Sequence, residues 1–235
     1  MDFVKTYGTI IKKYIDSKPE IARKLIQTGL HLELFRTEHF AIKDMPKAYK
    51  KLNTLAVKST LFSLEHPNQT AWTNIFTPVE ILQCFGLNAL SIECLSSFMS
   101  GFTCEDFFID YAEQKGIAPT LCSYHKDFLG AADSGVIPKP VFSTTTSMIC
   151  DGNINTFRHL EKNHGIDTFY LDIPNTYNTE TISYVTAQLK EMISTLEHIT
   201  GQVFCMDELS EVLKRENESK AYYKKFLKEK QTRYY

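Results

Sequence analysis

The sequence predicts an α/β protein with a parallel, doubly wound sheet of the Rossmann or flavodoxin kind, and three observations support this prediction. Short β-branched segments alternate with helical patterns after residue 77. Alternation of this kind implies parallel strands joined by helical crossovers, which are almost always right-handed. Helical patterns alone precede that point, and long helical patterns close the chain. We therefore predict a helical lead-in over residues 1–74, an α/β domain over 75–202 and a C-terminal helix over 203–235.

The lead-in is predicted to be helical because its apolar residues recur at the spacing of one helix face. Pro19 and Pro46 divide it, since proline is tolerated at the start of a helix and not in its interior. We expect these helices to pack on the core of the later domain. The apolar positions that carry the pattern are Ile10, Ile11, Tyr14 and Ile15, and then Ile21, Leu25, Ile26, Leu30 and Leu34.

The α/β domain is predicted to begin with a short helix. Thr77 is the predicted N-cap, Pro78 occupies the first helical position, and Glu80 completes a capping box. Gly86 supplies the left-handed residue that ends the helix. The elements that follow are a strand over 89–94, which ends in Cys94, and a helix that is capped by Thr103 and stops at Gly116.

Two cysteines in the second part of the domain, Cys122 and Cys150, are each predicted to sit where a strand runs into a helix. The strand before Cys150 is rich in threonine and valine, which favour the extended backbone. Pro174 forbids continuation of the next strand. The predicted elements are a helix over 124–133, a strand over 141–146, a helix capped by Asn153 or Asn155, a strand over 167–174, and helices over 179–201 and 207–230.

Composition excludes several classes of function. The 26 basic and 28 acidic side chains nearly balance, so no nucleic-acid partner is indicated. No run approaches the roughly 18 apolar residues that span a bilayer, and no signal peptide is recognised, so we expect a cytoplasmic protein without a membrane partner. The six cysteines should then be reduced, and their spacing is not that of a zinc ribbon. No glycine-rich phosphate loop is present.

Cys122 and Cys150 are the candidate metal ligands. In an open α/β sheet, ligands bind beyond the carboxyl ends of the strands, and the prediction brings both cysteines to that edge. A helix N-terminus favours the thiolate, which is the form that binds metal. Ser123, Thr145 and Thr146 are candidate cofactor-binding residues because their hydroxyls can donate hydrogen bonds to thiolate or inorganic sulfide.

The residues alone leave alternatives open. A buried structural pair of cysteines is one, and zinc is another, although four protein ligands are not evident. A third alternative is a hydrolase in which Cys122 is the nucleophile and His125, three residues later, is its base.

Several motifs follow one another in a recognisable order and spacing. They are Pro78-Val79-Glu80-Ile81 with Gly86, Leu121-Cys122-Ser123-Tyr124 with Gly130, Thr144-Thr145-Thr146 running to Cys150-Asp151, and Phe169 to Pro174 followed by a helix that ends before Gly201. Together they resemble the N-terminal half of the 2-hydroxyacyl-CoA dehydratase family (2-hydroxyglutaryl-CoA dehydratase D-component-like), which also contains benzoyl-CoA reductase subunits.

This resemblance implies a lyase chemistry that is oxygen-sensitive and anaerobic. Family subunits bind a [4Fe–4S] cluster through three cysteines, two of which match Cys122 and Cys150. The resemblance further implies an acyl-CoA substrate, a homologous sibling subunit that completes a heterodimer, and a separate ATP-hydrolysing iron–sulfur activator protein. One electron from the activator starts a radical dehydration of the acyl-CoA. Glu80 is the candidate catalytic carboxylate, because its motif places it near the sheet edge; its other interpretation is the capping-box partner.

The resemblance covers one α/β half, whereas family subunits have a second half that carries the third cysteine. We therefore expect activity only in a complex, with the isolated chain inactive. The alternative function is a non-catalytic α/β scaffold or partner subunit that has lost the cluster chemistry.

Overall fold

The computed structural model describes residues 3–40 and 46–232, with side chains to residue 230. The described helices are α1 Phe3–Ile15, α2 Pro19–His39, α3 Lys47–Glu65, α4 Val79–Cys84, α5 Ile92–Gly101, α6 Glu105–Gln114, α7 Ser123–Asp133, α8 Asp151–His164, α9 Thr179–Thr200 and α10 Met206–Thr232. The described strands are β1 Thr70–Thr73, β2 Asn88–Ser91, β3 Phe142–Thr146 and β4 Thr168–Leu171.

The four strands form one parallel sheet in the order β2-β1-β3-β4. Trp72 of β1 lies in register with Leu90 on one side and Ser143 on the other, and Thr146 of β3 is in register with Leu171 of β4. The chain runs outward from β1 to β2 and later from β3 to β4, so the strand order reverses between β1 and β3. The predicted parallel α/β class is confirmed, and its topological switch point lies between these two strands.

The sheet separates two apolar cores. Neighbouring residues of a strand point to opposite faces, and Ala71 and Trp72 accordingly enter different cores. The larger core lies between the sheet and helices α1–α3 and α5–α8, where Trp72 meets Phe128 edge-on at 4.9 Å between ring centroids. The smaller core lies under α4 and α9 and contains Leu82, Phe142 and Leu196 among its fully buried residues.

The N-terminal helices form as their periodicity predicts and join the larger core. Pro19 opens α2, and Pro46 is the N-cap of α3. Ile11 and Ile26 are buried in the larger core. Arg23 on α2 donates to the carbonyl oxygens of Gly135 and Val136, at 2.7 and 2.8 Å, which ties the lead-in to the turn after α7.

Strand β1 was not predicted from the sequence. It has four residues, all buried, and so shows no alternation of polar and apolar side chains. Strand β2 is shorter than predicted. It ends at Ser91 and not at Cys94, and α5 begins at the next residue. Cys94 therefore lies in the first turn of α5, where its backbone N–H is capped by Ser91 Oγ.

The predicted N-caps of three helices are wrong. Pro78, not Thr77, is the N-cap of α4, and Cys104, not Thr103, is the N-cap of α6. Helix α8 begins at Asp151 with Cys150 as its N-cap, which lies three residues before Asn153 and five before Asn155. Cys122 is the N-cap of α7, but turns rather than a strand precede it.

The C-terminal elements match the prediction closely. Asn178 caps α9 by accepting from the Thr181 N–H at 2.8 Å, and Gly201 ends that helix in the left-handed conformation. Helix α10 packs against α4. Within the described ranges, no helix is long and apolar enough to cross a membrane.

Candidate functional site

The carboxyl ends of β1 and β3 are joined by a buried polar bridge. Asn74, the residue after β1, donates from Nδ2 to Thr146 Oγ1 at 3.4 Å. Thr77 donates from Oγ1 to Asn74 Oδ1 at 2.6 Å and also lies 3.3 Å from the Thr144 carbonyl oxygen. The bridge therefore organises the switch point, which is where doubly wound sheets bind their ligands. Sequence reasoning missed Asn74 because it follows a strand that was not predicted.

A strained turn sets the position of Cys150. The Cys150 N–H donates to the Met148 carbonyl at 2.7 Å, and the residue between them, Ile149, has φ 68°. A β-branched residue in this left-handed region costs on the order of 1–3 kcal/mol, and such residues cluster at functional sites. Ile149 is 78 % exposed, so packing does not explain its conformation.

The start of the same loop is anchored to the end of β4. Ser147 Oγ donates to Asp172 Oδ1 and accepts from the Ile173 N–H, both at 2.8 Å. The segment between Thr146 and Cys150 is thus held at both of its ends, and the cysteine occupies a defined place at the edge of the sheet.

Cys122 and Cys150 occupy equivalent positions on two neighbouring helices. Each is the N-cap residue of its helix, α7 and α8, and neither side chain makes a capping hydrogen bond. The two helices pack against each other. Cys122 is exposed and Cys150 half-buried, and both are free thiols. The convergence of the two cysteines toward one edge stays a prediction, and turns replace the strand that was expected before Cys122.

Gly152 allows a close approach of the chain to the Cys150 sulfur. A Cβ at this position would lie 3.2 Å from Cys150 Sγ, 3.5 Å from Leu121 Cδ1 and 3.7 Å from His125 Nε2. Leu121, the residue before Cys122, thus reaches the same glycine as Cys150. A glycine in the first turn of a helix is a sequence signal for such a close approach, because alanine is the better helix former.

His125 is buried between α7 and α8, with 4 % of its surface exposed. Its Nδ1 is 2.9 Å from Thr156 Oγ1. Burial lowers the pKa of His125, and the charge of Glu93 partly opposes this. Within the described residues no hydrogen bond joins His125 to Cys122, so the pair expected of a Cys–His hydrolase is not formed.

Two buried polar atoms near this layer have no hydrogen-bond partner in the described part of the chain: Thr145 Oγ1 and Asn153 Oδ1. The preceding residue, Thr144, donates to Met192 Sδ at 3.8 Å in the smaller core. Because strand side chains alternate, Thr145 faces the opposite layer, that of α7 and α8. Unpaired buried polar atoms are uncommon in folded proteins, which singles out this layer of the structure.

The remaining predicted site residues are dispersed. Ser123 is exposed at the first position of α7, and Thr146 accepts the Asn74 hydrogen bond described above. Glu80 is partly exposed in the first turn of α4. The roles of Ser123, Thr146 and Glu80 stay predictions. Burial raises the pKa of the Cys94 thiol, and a hydrogen bond with the Thr60 hydroxyl opposes this in part.

The donor chemistry of the site fits an iron–sulfur cluster, but the site supplies too few ligands to hold one. Thiolates suit iron, and Cys122 and Cys150 are both free thiols. Across residues 3–40 and 46–232, however, no three His, Cys, Asp or Glu side chains converge into a group that could hold a metal. Cys122 and Cys150 would be two ligands, and any third would come from outside this set.

Two aspartates on α7 have opposite electrostatic environments. Among the described residues, neither carboxylate oxygen of buried Asp127 has a hydrogen-bond partner in the geometry, in which the nearby Ser96 hydroxyl donates to the Tyr124 carbonyl. Burial raises the pKa of Asp127 to about 8, and the charge of Glu105 adds to this. For Asp133, burial acts to raise the pKa, but hydrogen bonds from His159 and His164 outweigh it and lower the pKa to about 2.

A cavity of about 590 Å³ lies elsewhere, between α1, α2 and α5. Its lining is apolar and aromatic and includes Tyr7, Phe98 and Phe102. The lining contains no cysteine or histidine, so this cavity is separate from the cysteine site.

Together, the parallel sheet and its switch point define an open, doubly wound α/β protein, a class in which ligands bind beyond the carboxyl edge of the sheet. Comparison with known families identifies the chain more closely. The sequence model of the family "2-hydroxyglutaryl-CoA dehydratase, D-component" matches residues 74–234, and the chain belongs to this family. The match begins at the switch-point residue Asn74 and leaves helices α1–α3 outside it.

Two curated relatives match over a similar region. The chain is 28 % identical over 164 residues to the (R)-phenyllactyl-CoA dehydratase alpha subunit of Clostridium sporogenes, which covers 66 % of this chain and 40 % of that protein. It is 27 % identical over 161 residues to the (R)-2-hydroxyisocaproyl-CoA dehydratase alpha subunit of Clostridioides difficile, covering 64 % and 39 %. The chain thus spans about two fifths of the length of these relatives.

Proposed function

We propose that this chain is a subunit, or part of one, of a 2-hydroxyacyl-CoA dehydratase-type lyase, and that Cys122 and Cys150 ligate a [4Fe–4S] cluster. One observation carries the proposal: two free cysteines occupy the N-caps of the adjacent helices α7 and α8 beyond the switch point, in a chain of this family. Both matched relatives are alpha subunits of 2-hydroxyacyl-CoA dehydratases.

The local electrostatics support thiolate ligands at both positions. The first backbone N–H groups of a helix lack intrahelical partners and carry partial positive charge. Because neither cysteine side chain accepts a capping hydrogen bond, both sulfurs are free to face a ligand. The strained turn at Ile149 and the Ser147 anchor hold the Cys150 sulfur in place.

A bound cluster would supply one electron at low potential to the thioester of a 2-hydroxyacyl-CoA. Cys122 and Cys150 would hold its iron, and the buried Thr145 hydroxyl would be a hydrogen-bond donor to sulfur. The exposure of Cys122 leaves that side of the site open to a larger substrate. Ser123 and Thr146 remain candidates for further contacts, and Glu80 for a catalytic carboxylate.

A complete ligand set requires more than the described residues provide. We propose that a homologous sibling subunit, or a further segment corresponding to the rest of the matched relatives, supplies the third ligand. A separate ATP-hydrolysing activator would deliver the electron. An anaerobic cytoplasmic setting follows from this proposal.

The second candidate function is a scaffold or partner subunit without cluster chemistry. The absence of a converging three-residue metal group among the described residues favours it. Iron content distinguishes the two functions.

The test is anaerobic purification of the chain together with the proteins encoded beside it, followed by iron and acid-labile sulfide analysis. We expect iron and sulfide in the wild-type complex, and at least a tenfold loss of both in Cys122→Ser and Cys150→Ser. Cys205→Ser is the matched control, because Cys205 is an exposed free cysteine away from the switch point, between α9 and α10. An iron-free wild-type complex, or serine variants that keep their iron, would overturn the cluster assignment and leave the scaffold function.

A further inference from the structure

We propose that His125 is a positioning residue of the cluster site, donating a hydrogen bond from Nε2 to the sulfur at the Cys150 end. This inference rests on the proposed function, since it concerns the sulfur that Cys150 supplies or holds. It adds a residue to which neither the family match nor the names of the relatives assign a role.

The first argument is location. His125 Nε2 and Cys150 Sγ flank one point, the position that a Cβ of residue 152 would take, at 3.7 and 3.2 Å. Residue 152 is glycine, so no side chain separates the imidazole from the sulfur. His125 itself is buried, and a hydrogen bond in a buried environment is stronger than in water.

The second argument is orientation. His125 belongs to α7 and its partner Thr156 belongs to α8, so their 2.9 Å hydrogen bond crosses the interface between the two helices that the cysteines cap. This bond uses Nδ1 and leaves Nε2 as the nitrogen that faces Gly152. With 4 % of its surface exposed, the ring has little freedom to turn away.

The third argument concerns the proton. Thr156 lies inside a helix, where its hydroxyl would otherwise donate to a carbonyl of the preceding turn. The hydrogen bond to Nδ1 is the one that its hydroxyl makes among the described residues. A hydroxyl that donates to Nδ1 makes Nδ1 the acceptor, and the neutral imidazole then carries its hydrogen on Nε2. This is the tautomer that the proposal assigns to His125, and in it the sulfur side of the ring is a hydrogen-bond donor.

The consequence is electrostatic. Hydrogen bonds to the sulfurs of an iron–sulfur cluster stabilise the added negative charge of the reduced form and so raise its potential. His125 would thereby set the potential and hold the Cys150 sulfur, without itself being an iron ligand.

The test uses the cluster-loaded complex and two variants that differ in where they place an amide nitrogen. Glutamine places its side-chain nitrogen near the position of Nε2, whereas asparagine places it near Nδ1. We expect His125→Asn to shift the midpoint potential, measured by EPR-monitored redox titration, to a more negative value and to change the EPR line shape. We expect His125→Gln to stay close to wild type in both measurements. Circular dichroism and iron content establish that each variant is folded and loaded.

A second pair of variants probes the proton. Thr156→Val removes the donor to Nδ1, and we expect a smaller shift in the same direction, while Thr156→Ser keeps the hydroxyl and the wild-type potential. If loaded His125→Asn has the wild-type potential, the inference is overturned and the cluster assignment stands. If the His125 variants fail to fold, an unchanged potential in loaded Thr156→Val overturns it. An iron-free wild-type complex overturns both the cluster assignment and the role of His125.

Discussion

The two faces of the sheet differ in chemistry. Under α4 and α9, the smaller core is built from apolar side chains, with Leu82, Phe142 and Leu196 fully buried. Under α7 and α8, the layer also buries His125, Asn153 and several hydroxyl groups. Burying polar groups costs free energy unless they are hydrogen-bonded, and Thr145 Oγ1 and Asn153 Oδ1 have no partner among the described residues. The α4–α9 face therefore stabilises the sheet, whereas the α7–α8 face, on which the cysteine-capped helices pack, is less stabilising.

The largest expected effect tests the stabilising face. Leu196 on α9 is fully buried in the smaller core. Leu196→Ala should lower the free energy of unfolding by about 2–5 kcal/mol, through lost burial and the cavity that remains. Urea denaturation measures this loss. Iron content per folded chain should stay at the wild-type level, and a selective loss of iron would contradict the division between the two faces.

The next prediction concerns the buried carboxyl group of Asp127 on α7. Asp127 is 2 % exposed, and burial raises its pKa to about 8 in the folded protein, against about 3.9 when unfolded. The folded state therefore binds the proton more tightly. Protonation of Asp127 therefore stabilises the folded state. This stabilisation is fully present below pH 4 and is lost as pH rises toward about 8. Asp127→Asn should remove this slope and raise stability at pH 8 by roughly 2–4 kcal/mol, as measured by denaturation at several pH values.

Asp133, on the same helix, is the matched control because the pKa shift has the opposite sign. Hydrogen bonds from His159 and His164 outweigh the effect of burial and hold the pKa at about 2. The ionised carboxylate therefore stabilises the fold above its unfolded pKa of about 3.9, and this contribution is lost as pH falls toward 2. Asp133→Asn should destabilise the protein by about 2 kcal/mol at neutral pH. Equal effects of the two asparagine variants would contradict the assigned environments.

The smallest expected effect concerns Thr145. Its buried hydroxyl lacks a hydrogen-bond partner among the described residues, and replacing it by a methyl group removes a desolvation cost of about 1 kcal/mol. Thr145→Val should therefore be slightly more stable than wild type in thermal denaturation, yet retain less iron. Thr144→Val is the control, since Thr144 Oγ1 faces Met192 on the other side of the sheet. A Thr145 variant that is both less stable and fully loaded would contradict this role.

Long, periodic elements could be predicted from the sequence, and short ones could not. Helix α9 carries its own signals, with an apolar stripe and Gly201 at its end, and the structure places it at Thr179–Thr200. Strand β1 has four residues and is buried on both faces, so no alternation marks it. Missing β1 also hid Asn74, and with it the polar bridge at the switch point.

The two thiols of the candidate site could be named from the sequence, and the side chains around them could not. Cys122 and Cys150 could be singled out because the ordered motifs and the helix starts around them are local features of the chain. The approach of His125 Nε2 and Cys150 Sγ to Gly152 depends on how α7 packs against α8. The histidine weighed as a base for Cys122 thus lies near the same glycine as the other cysteine.

The α/β class, the lead-in helices, the family resemblance and the two candidate cysteines follow from the sequence, because each depends on local periodicity or motif order. The strand order β2-β1-β3-β4, and with it the switch point between β1 and β3, depends on the tertiary structure. So do the burial of Thr145 Oγ1 and Asn153 Oδ1 without a partner among the described residues, and the approach of His125 and Cys150 to Gly152. These features arise from contacts between segments distant in the chain, which no local pattern of residues encodes.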